Sequence, residues 1–368
     1  MDIETIYLGP GPTDGSHHVT VYRFGRRGAR PRVYIQGGLH ADEAPGMLVG
    51  FALRDQLQRL EADGAVVGEI LLVPAANPIG LAQDPAGSGS GRFDATSGQN
   101  FNRNFPDAAR LALARDASPP EGDVVAGLRA RMLAALDGLT PASRLEALQS
   151  ALLKLAIGAD IVIDMHCDSE AVTHLYCHSE HVEQAAALAQ AVGAGVVLHA
   201  PLQGGASFDE ACSLPWIAFR DRWPAKQVQL ACFSVTLEWR GMLDTDAAMA
   251  ENDAMALLVW LAGRGVLTAP SPRTRHDPAA VTPLAGVEVV TAPHPGLFLA
   301  AVPPGTPVTV GTLLGRLRCL PGGNEVDIFA GVDGTLYARE QARIVPAGAE
   351  LFFIAGKTSI RTGMLLSA

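Results

Sequence analysis

Apolar residues along the chain fall into short β-branched runs separated by longer stretches with helical spacing. Residues 18–24, 32–36 and 69–74 read as strands, whereas 46–60 and 145–157 repeat their apolar positions every three to four residues, as helices do. Such alternation predicts an α/β sheet flanked by helices. Two further runs, 159–165 and 228–237, carry β-branched residues and almost no charge, which predicts strands buried on both faces. After a helical pattern over 244–261, the proline-rich polar stretch 269–281 reads as a linker. From 282 to 368 the chain shows short strands punctuated by Gly and Pro and no helical period, so an α/β domain over 1–268 is expected to precede a small all-β module.

That module repeats itself. Ala292-Pro293-His294-Pro295-Gly296-Leu297-Phe298, followed by Pro304-Gly305 and Leu313-Leu314, is echoed by Ala330-Gly331-Val332-Asp333-Gly334-Thr335-Leu336-Tyr337, followed by Pro346-Ala347-Gly348 and Leu351-Phe352. The pattern resembles the two halves of a biotinyl or lipoyl carrier barrel. A carrier needs a lysine on the hairpin between the halves, yet the chain's lysines are Lys154, Lys226 and Lys357. A structural module that shapes access to a site is the expectation.

With 368 residues, 48% of them hydrophobic, the chain can bury a large core plus a second unit. A net charge of -10 gives no general attraction to nucleic acid or to an anionic membrane. Met1-Asp2-Ile3-Glu4 opens without a basic or apolar leader and no later run is apolar enough to span a bilayer, so a cytoplasmic location is expected. Five scattered cysteines without a Cys-x-x-Cys pair indicate neither a disulfide framework nor a zinc knuckle. Whether the chain forms a homo-oligomer is left open.

Candidate chemistry begins at His40-Ala41-Asp42-Glu43, where a strand breaks at Gly37-Gly38 and Pro45 suits the first turn of a helix. An imidazole and a carboxylate three positions apart can close on one metal, and zinc is the usual occupant of mixed nitrogen and oxygen sites. Alone the pair is weak evidence, since helix-start capping explains most such pairs. His166 ends the buried run at 159–165, and strand ends in open α/β sheets are where ligands collect. Asp164 or Asp168 could accept its other ring N–H; Cys167 should point to the opposite face. A Gly- and Ser-rich loop, 87–91, leads to Arg92 and then to Asn100-Phe101-Asn102-Arg103. Arg103 has the planar fork that binds a carboxylate, Asn102 could add a donor, and Arg92 could face a developing oxyanion. Glu238, after the most apolar run, is either paired with Arg240 or a general base with a raised pKa.

Taken in order, His40-x-x-Glu43, Asn77-Pro78, Arg92, Asn102-Arg103, His166 and Glu238 resemble the succinylglutamate desuccinylase and aspartoacylase family, a branch of the zinc carboxypeptidase-like fold. The resemblance covers most of the chain, β-module included. It implies one zinc per chain held by His40, Glu43 and His166, Glu238 as base and later proton donor, Arg92 polarising the scissile carbonyl, and Asn102 with Arg103 on a substrate carboxylate. The implied activity is hydrolysis of the amide of a small N-acyl amino acid. Better-known members have Glu-x-Gly where this chain has Glu238-Trp239-Arg240-Gly241, so the extra residue and the aromatic are expected to reshape the pocket. Two other readings stand beside it: a zinc carboxypeptidase acting on peptides, which an open groove would favour, and a catalytically silent binding protein.

Overall fold

The computed structural model describes residues 1–9, 17–83, 91–268, 276–363 and 365–366; the loop residues 87–90 and the linker residues 269–275 fall outside them. A nine-stranded mixed sheet forms the larger part. In chain order its strands are β1 (Asp2–Tyr7), β2 (His18–Phe24), β3 (Arg32–Gly37), β4 (Glu69–Val73), β5 (Ile161–Asp168), β7 (His174–His178), β8 (Val196–Ala200), β9 (Phe233–Gly241) and β10 (Ala280–Pro283). The short β6 (Glu170–Ala171) lies outside it. The spatial order is β1-β2-β4-β3-β5-β9-β7-β8-β10. β4, β3, β5 and β9 run parallel, whereas β7 is antiparallel to β9.

The central strands are almost wholly buried because apolar layers cover both faces. On one face pack α1 (Ala44–Ala62), α6 (Val182–Val192) and α8 (Ala247–Gly263), with Leu53, Leu57, Leu188, Leu257 and Leu261 in a common core. The other face carries α3 (Ala108–Arg115), α4 (Val124–Asp137), α5 (Arg144–Ala156) and α7 (Phe208–Arg222), with Trp216 and Phe219 buried beside Leu148 and Leu152. A short α2 (Pro78–Ala82) follows β4, and its N-cap Asn77 accepts the Gly80 N–H at 2.8 Å.

The run at 228–237 becomes strand only from Phe233. Val228 and Cys232 are buried by packing against helices, and the Ala231 carbonyl accepts from Arg129 Nη2 rather than from a neighbouring strand. Apolar patterning reports burial and does not distinguish a sheet partner from a helix.

Past β10 the chain forms two antiparallel sheets. β11 (Val287–Thr291), β18 (Glu350–Gly356), β16 (Gly334–Arg339) and β13 (Pro307–Val308) make one, which also pairs with β6; β15 (Glu325–Phe329), β14 (Leu313–Cys319), β12 (Gly296–Ala300) and β17 (Ile344–Val345) make the other. Phe298, Leu314, Leu317, Leu336, Phe352 and Ile354 fill the space between them. The repeat is visible as β12-β13-β14 followed by β16-β17-β18, and each short middle strand pairs with the other half. The β6–β16 pairing puts Ala338 opposite Ala171, and Glu170 holds both Arg339 and Arg343. These contacts seat the C-terminal sheets beside the strand ends of the large one.

Candidate metal centre and active site

The carboxyl ends of β3, β5 and β9 meet at one place. β3 stops at Gly38, whose φ of +69° is left-handed, and a Cβ there would lie 2.6 Å from Met47 Cγ. The turn that follows delivers His40 and Glu43. Glu43 occupies the N-cap of α1 without capping it, because its carboxylate is engaged elsewhere. Gly46, in the first turn, lets α1 approach β5 so closely that a Cβ would lie 2.7 Å from the Met165 carbonyl oxygen.

The Glu43 carboxylate stands between two imidazoles, with Oε1 2.8 Å from His40 Nδ1 and Oε2 2.8 Å from His166 Nδ1. One donor atom from each residue lies within 4.8 Å of the others, and all three residues are buried. Burial would raise the Glu43 pKa, but the imidazoles of His40 and His166 hold it well below the usual carboxylate range. Burial lowers the His40 pKa; for His166 the same effect is outweighed by Asp164 and Glu43, which raise it well above the ordinary value.

Both outer ring nitrogens are occupied. His40 Nε2 faces Asn100 Oδ1 at 2.9 Å, and His166 Nε2 faces Asp164 Oδ2 at 2.9 Å. The second contact continues inward: Gln36 Nε2 donates to Asp164 Oδ1 at 2.8 Å, and the Tyr34 hydroxyl donates to Gln36 Oε1 at 2.7 Å, with all three side chains fully buried. With the outer N–H groups given to these oxygen acceptors, each Nδ1 would offer its lone pair to a metal bound beside Glu43, the tautomer that metal binding requires. Two neutral imidazole nitrogens and a carboxylate make a donor set that suits a divalent metal, zinc in particular. Of the two candidates, Asp164 is the partner of His166. Asn100 gave no separate signal, since a lone Asn in a polar loop looks like any turn residue.

Glu238 stands directly across from His166 in the β5–β9 register and across from His174 in the β7–β9 register. Burial pushes its carboxyl up to about 8. Its Oε2 meets no hydrogen-bond donor among the described residues. The alternative pairing with Arg240 does not occur, because Arg240 bonds Asp253 on α8. The expectation that Trp239 reshapes the pocket is also corrected: Trp239 is fully buried in the core beneath the sheet. The extra residue is absorbed where the register slips between His166↔Glu238 and Asp168↔Gly241, with Arg240 at φ +56°.

A cavity of about 350 Å³ opens over these residues and is also lined by Arg92, Asn102, Arg103, Tyr176, Gln203 and Tyr337. Arg92 Nη1 donates to Glu43 Oε1 at 3.2 Å. Asn102 is buried; its Oδ1 accepts from the Phe208 N–H at 2.8 Å, and its amide nitrogen lies 3.4 Å from His166 Nε2. Arg103 Nη1 donates to the Asn102 carbonyl at 2.8 Å. Cys167 also lines the cavity, where the Cys167 N–H donates to Glu43 Oε2 at 3.2 Å, but burial among carboxylates pushes its thiol up and keeps it protonated. Tyr337 arrives from β16, far along the chain, and no local pattern marks it.

Residues 29–126 match the family model described as the succinylglutamate desuccinylase/aspartoacylase catalytic domain. A structure of a succinylglutamate desuccinylase/aspartoacylase family protein from Shewanella amazonensis SB2B is 26% identical, covers 96% of this chain and 98% of its own, and superimposes with a TM-score of 0.82. Another so described, from Shewanella frigidimarina NCIMB 400, is 25% identical over 96% of this chain and 97% of its own, with a TM-score of 0.81. The ectoine utilization protein EutE (DoeB) from Ruegeria pomeroyi, at 20% identity, 94% and 90% coverage and a TM-score of 0.63, shares the fold. Among curated proteins none matches. The matched segment carries the His40-x-x-Glu43 turn and the Asn102-Arg103 loop, and the likeness to solved structures described as succinylglutamate desuccinylase/aspartoacylase family proteins runs over nearly the full length of the chain.

Proposed function

We propose that the protein is a zinc-dependent deacylase that hydrolyses the amide bond of a small N-acyl amino acid. The observation that carries this reading is the closure of His40, Glu43 and His166 to within 4.8 Å of one another beneath a cavity that Glu238 also lines. His40, Glu43 and His166 would hold the zinc, which when bound supplies a water of pKa roughly 7 and Lewis acidity toward a carbonyl oxygen.

A cation held by His40, Glu43 and His166 would draw the raised Glu238 pKa down and favour its carboxylate; that carboxylate takes a proton from the attacking water as the oxygen bonds the amide carbon, and returns it to the nitrogen as the C–N bond breaks. Its Oε2, unpartnered among the described residues, is available for both transfers. The Arg92 guanidinium donates to the carbonyl oxygen as that atom gains negative charge. Arg103 and the Asn102 amide nitrogen bind a substrate carboxylate and set the amide over the site. The products are a carboxylate and a free amino acid. Division of the chain at 269–281 into a catalytic part and a β-module belongs to the same reading.

A carboxypeptidase acting on longer peptides is less well supported, because Tyr337, Phe353 and Leu365 from beyond the large sheet wall in the cavity. Elemental analysis of the purified protein and of a His40→Ala/His166→Ala double variant tests the reading. About one zinc per chain, lost in the variant, together with amine release from N-acyl amino acids, is expected. No metal uptake by folded protein, even after incubation with zinc, would favour a silent binding protein instead.

A further inference from the structure

The cavity over the site has two unlike walls. Seventeen of its lining residues precede β10, and only Cys167 and Met242 among them are apolar; nine follow it, and six of those are Leu284, Val287, Val289, Phe353, Leu365 and Leu366. These six belong to the apolar cluster that packs the C-terminal sheets against β8. Leu284 and Val287 are buried within it, whereas Val289, Phe353, Leu365 and Leu366 are only partly covered and line the cavity with surface left over.

The wall also carries two charged groups, and the Arg361 Nε is buried without a partner among the described residues. Arg361 donates from Nη2 to the Leu284 carbonyl at 3.1 Å, and Glu350 is exposed. Leu365 is tethered over the cavity by its N–H, which donates to the Gln203 carbonyl at 3.2 Å. Gln203 lies two residues before Gly205, against which Arg103 packs. The apolar wall therefore continues directly from the arginine that would hold the substrate carboxylate.

We infer that the natural substrate carries an aliphatic or aromatic group of about four carbons or more, which the apolar side chains of the C-terminal sheets receive. This rests on the deacylase reading above. The group could be the acyl chain or the amino-acid side chain; the chemistry recognised is the same. Covering each added methylene should raise kcat/KM by roughly three- to fourfold until the wall is filled.

Two substrate series on the zinc-loaded protein test this. One holds glycine constant and lengthens the acyl group from acetyl through butanoyl and hexanoyl to octanoyl; the other holds acetyl constant and changes glycine to alanine, leucine and phenylalanine. A rise of about tenfold or more along one series, with a smaller gain per methylene in Val289→Thr and Phe353→Thr, supports the inference and identifies which end of the substrate enters. Flat or falling values along both series, with N-acetylaspartate or N-succinylglutamate preferred, would overturn it and leave the deacylase reading standing. If no member of any series is hydrolysed although zinc is bound, the deacylase reading fails and this inference falls with it.

Discussion

Asp164→Asn isolates the charge that orients His166. In the native network Asp164 accepts twice, from His166 Nε2 at 2.9 Å and from Gln36 Nε2 at 2.8 Å. Asparagine keeps the shape and one accepting oxygen. With that oxygen toward His166, its NH2 meets the Gln36 NH2, a clash of donors. Turning the Gln36 amide over resolves it: Oε1 then accepts from the introduced side-chain amide, and Nε2 points at the Tyr34 hydroxyl, which can accept as well as donate. The hydrogen-bond count is kept and only the negative charge is lost. Removing such an outer partner weakens metal binding by roughly 10- to 100-fold, which corresponds to about 1.4–2.7 kcal/mol. Asp164→Ala should weaken it further, because it leaves the buried His166 N–H with no acceptor. Competition for zinc against a chromophoric chelator measures both. Asp164→Asn binding zinc within about twofold of the native protein, or Asp164→Ala binding no more weakly than Asp164→Asn, would refute the reasoning.

Other substitutions separate the remaining roles. Glu238→Gln should leave zinc content unchanged while turnover of an N-acyl amino acid falls by roughly two orders of magnitude or more; near-native turnover would remove Glu238 from proton transfer. Arg103→Lys replaces a planar fork with a single point charge, so KM for carboxylate-bearing substrates should rise by about tenfold or more with a smaller change in kcat, and equal effects on an amidated substrate would argue against carboxylate binding. His181, buried beside Phe233 with ring centroids 5.5 Å apart, has its pKa lowered to about 4, first by burial and then by His178. Since the unfolded chain takes up this proton near 6.5 and the folded chain does so only near 4, stability should be full above the unfolded value and decline as pH falls through that window, by up to about 3 kcal/mol. Chemical denaturation of His181→Phe at pH 7 and pH 4.5 should show a smaller loss than the native chain, and an identical loss would exclude His181 as a source.

The sequence by itself determined the α/β character, the extent of β2 and the chemical identity of the donor groups. Those features are local: β-branched runs, a glycine break, a proline after Glu43 and a histidine at the end of a buried run each act within a few residues. Tertiary structure decided the rest. Whether Glu238 paired with Arg240 depended on α8, whose Asp253 takes that arginine. How the extra residue between Glu238 and Gly241 is absorbed depended on a register slip between two strands far apart in sequence, which no local pattern encodes. The choice of Asp164 over Asp168, the inward chain through Gln36 to Tyr34 and the apolar wall behind Tyr337 are likewise set by which strands become neighbours. Local spacing fixes what a side chain offers. Only the pairing of distant strands and the seating of the C-terminal sheets fix what it meets, because those contacts are formed by packing across the whole chain.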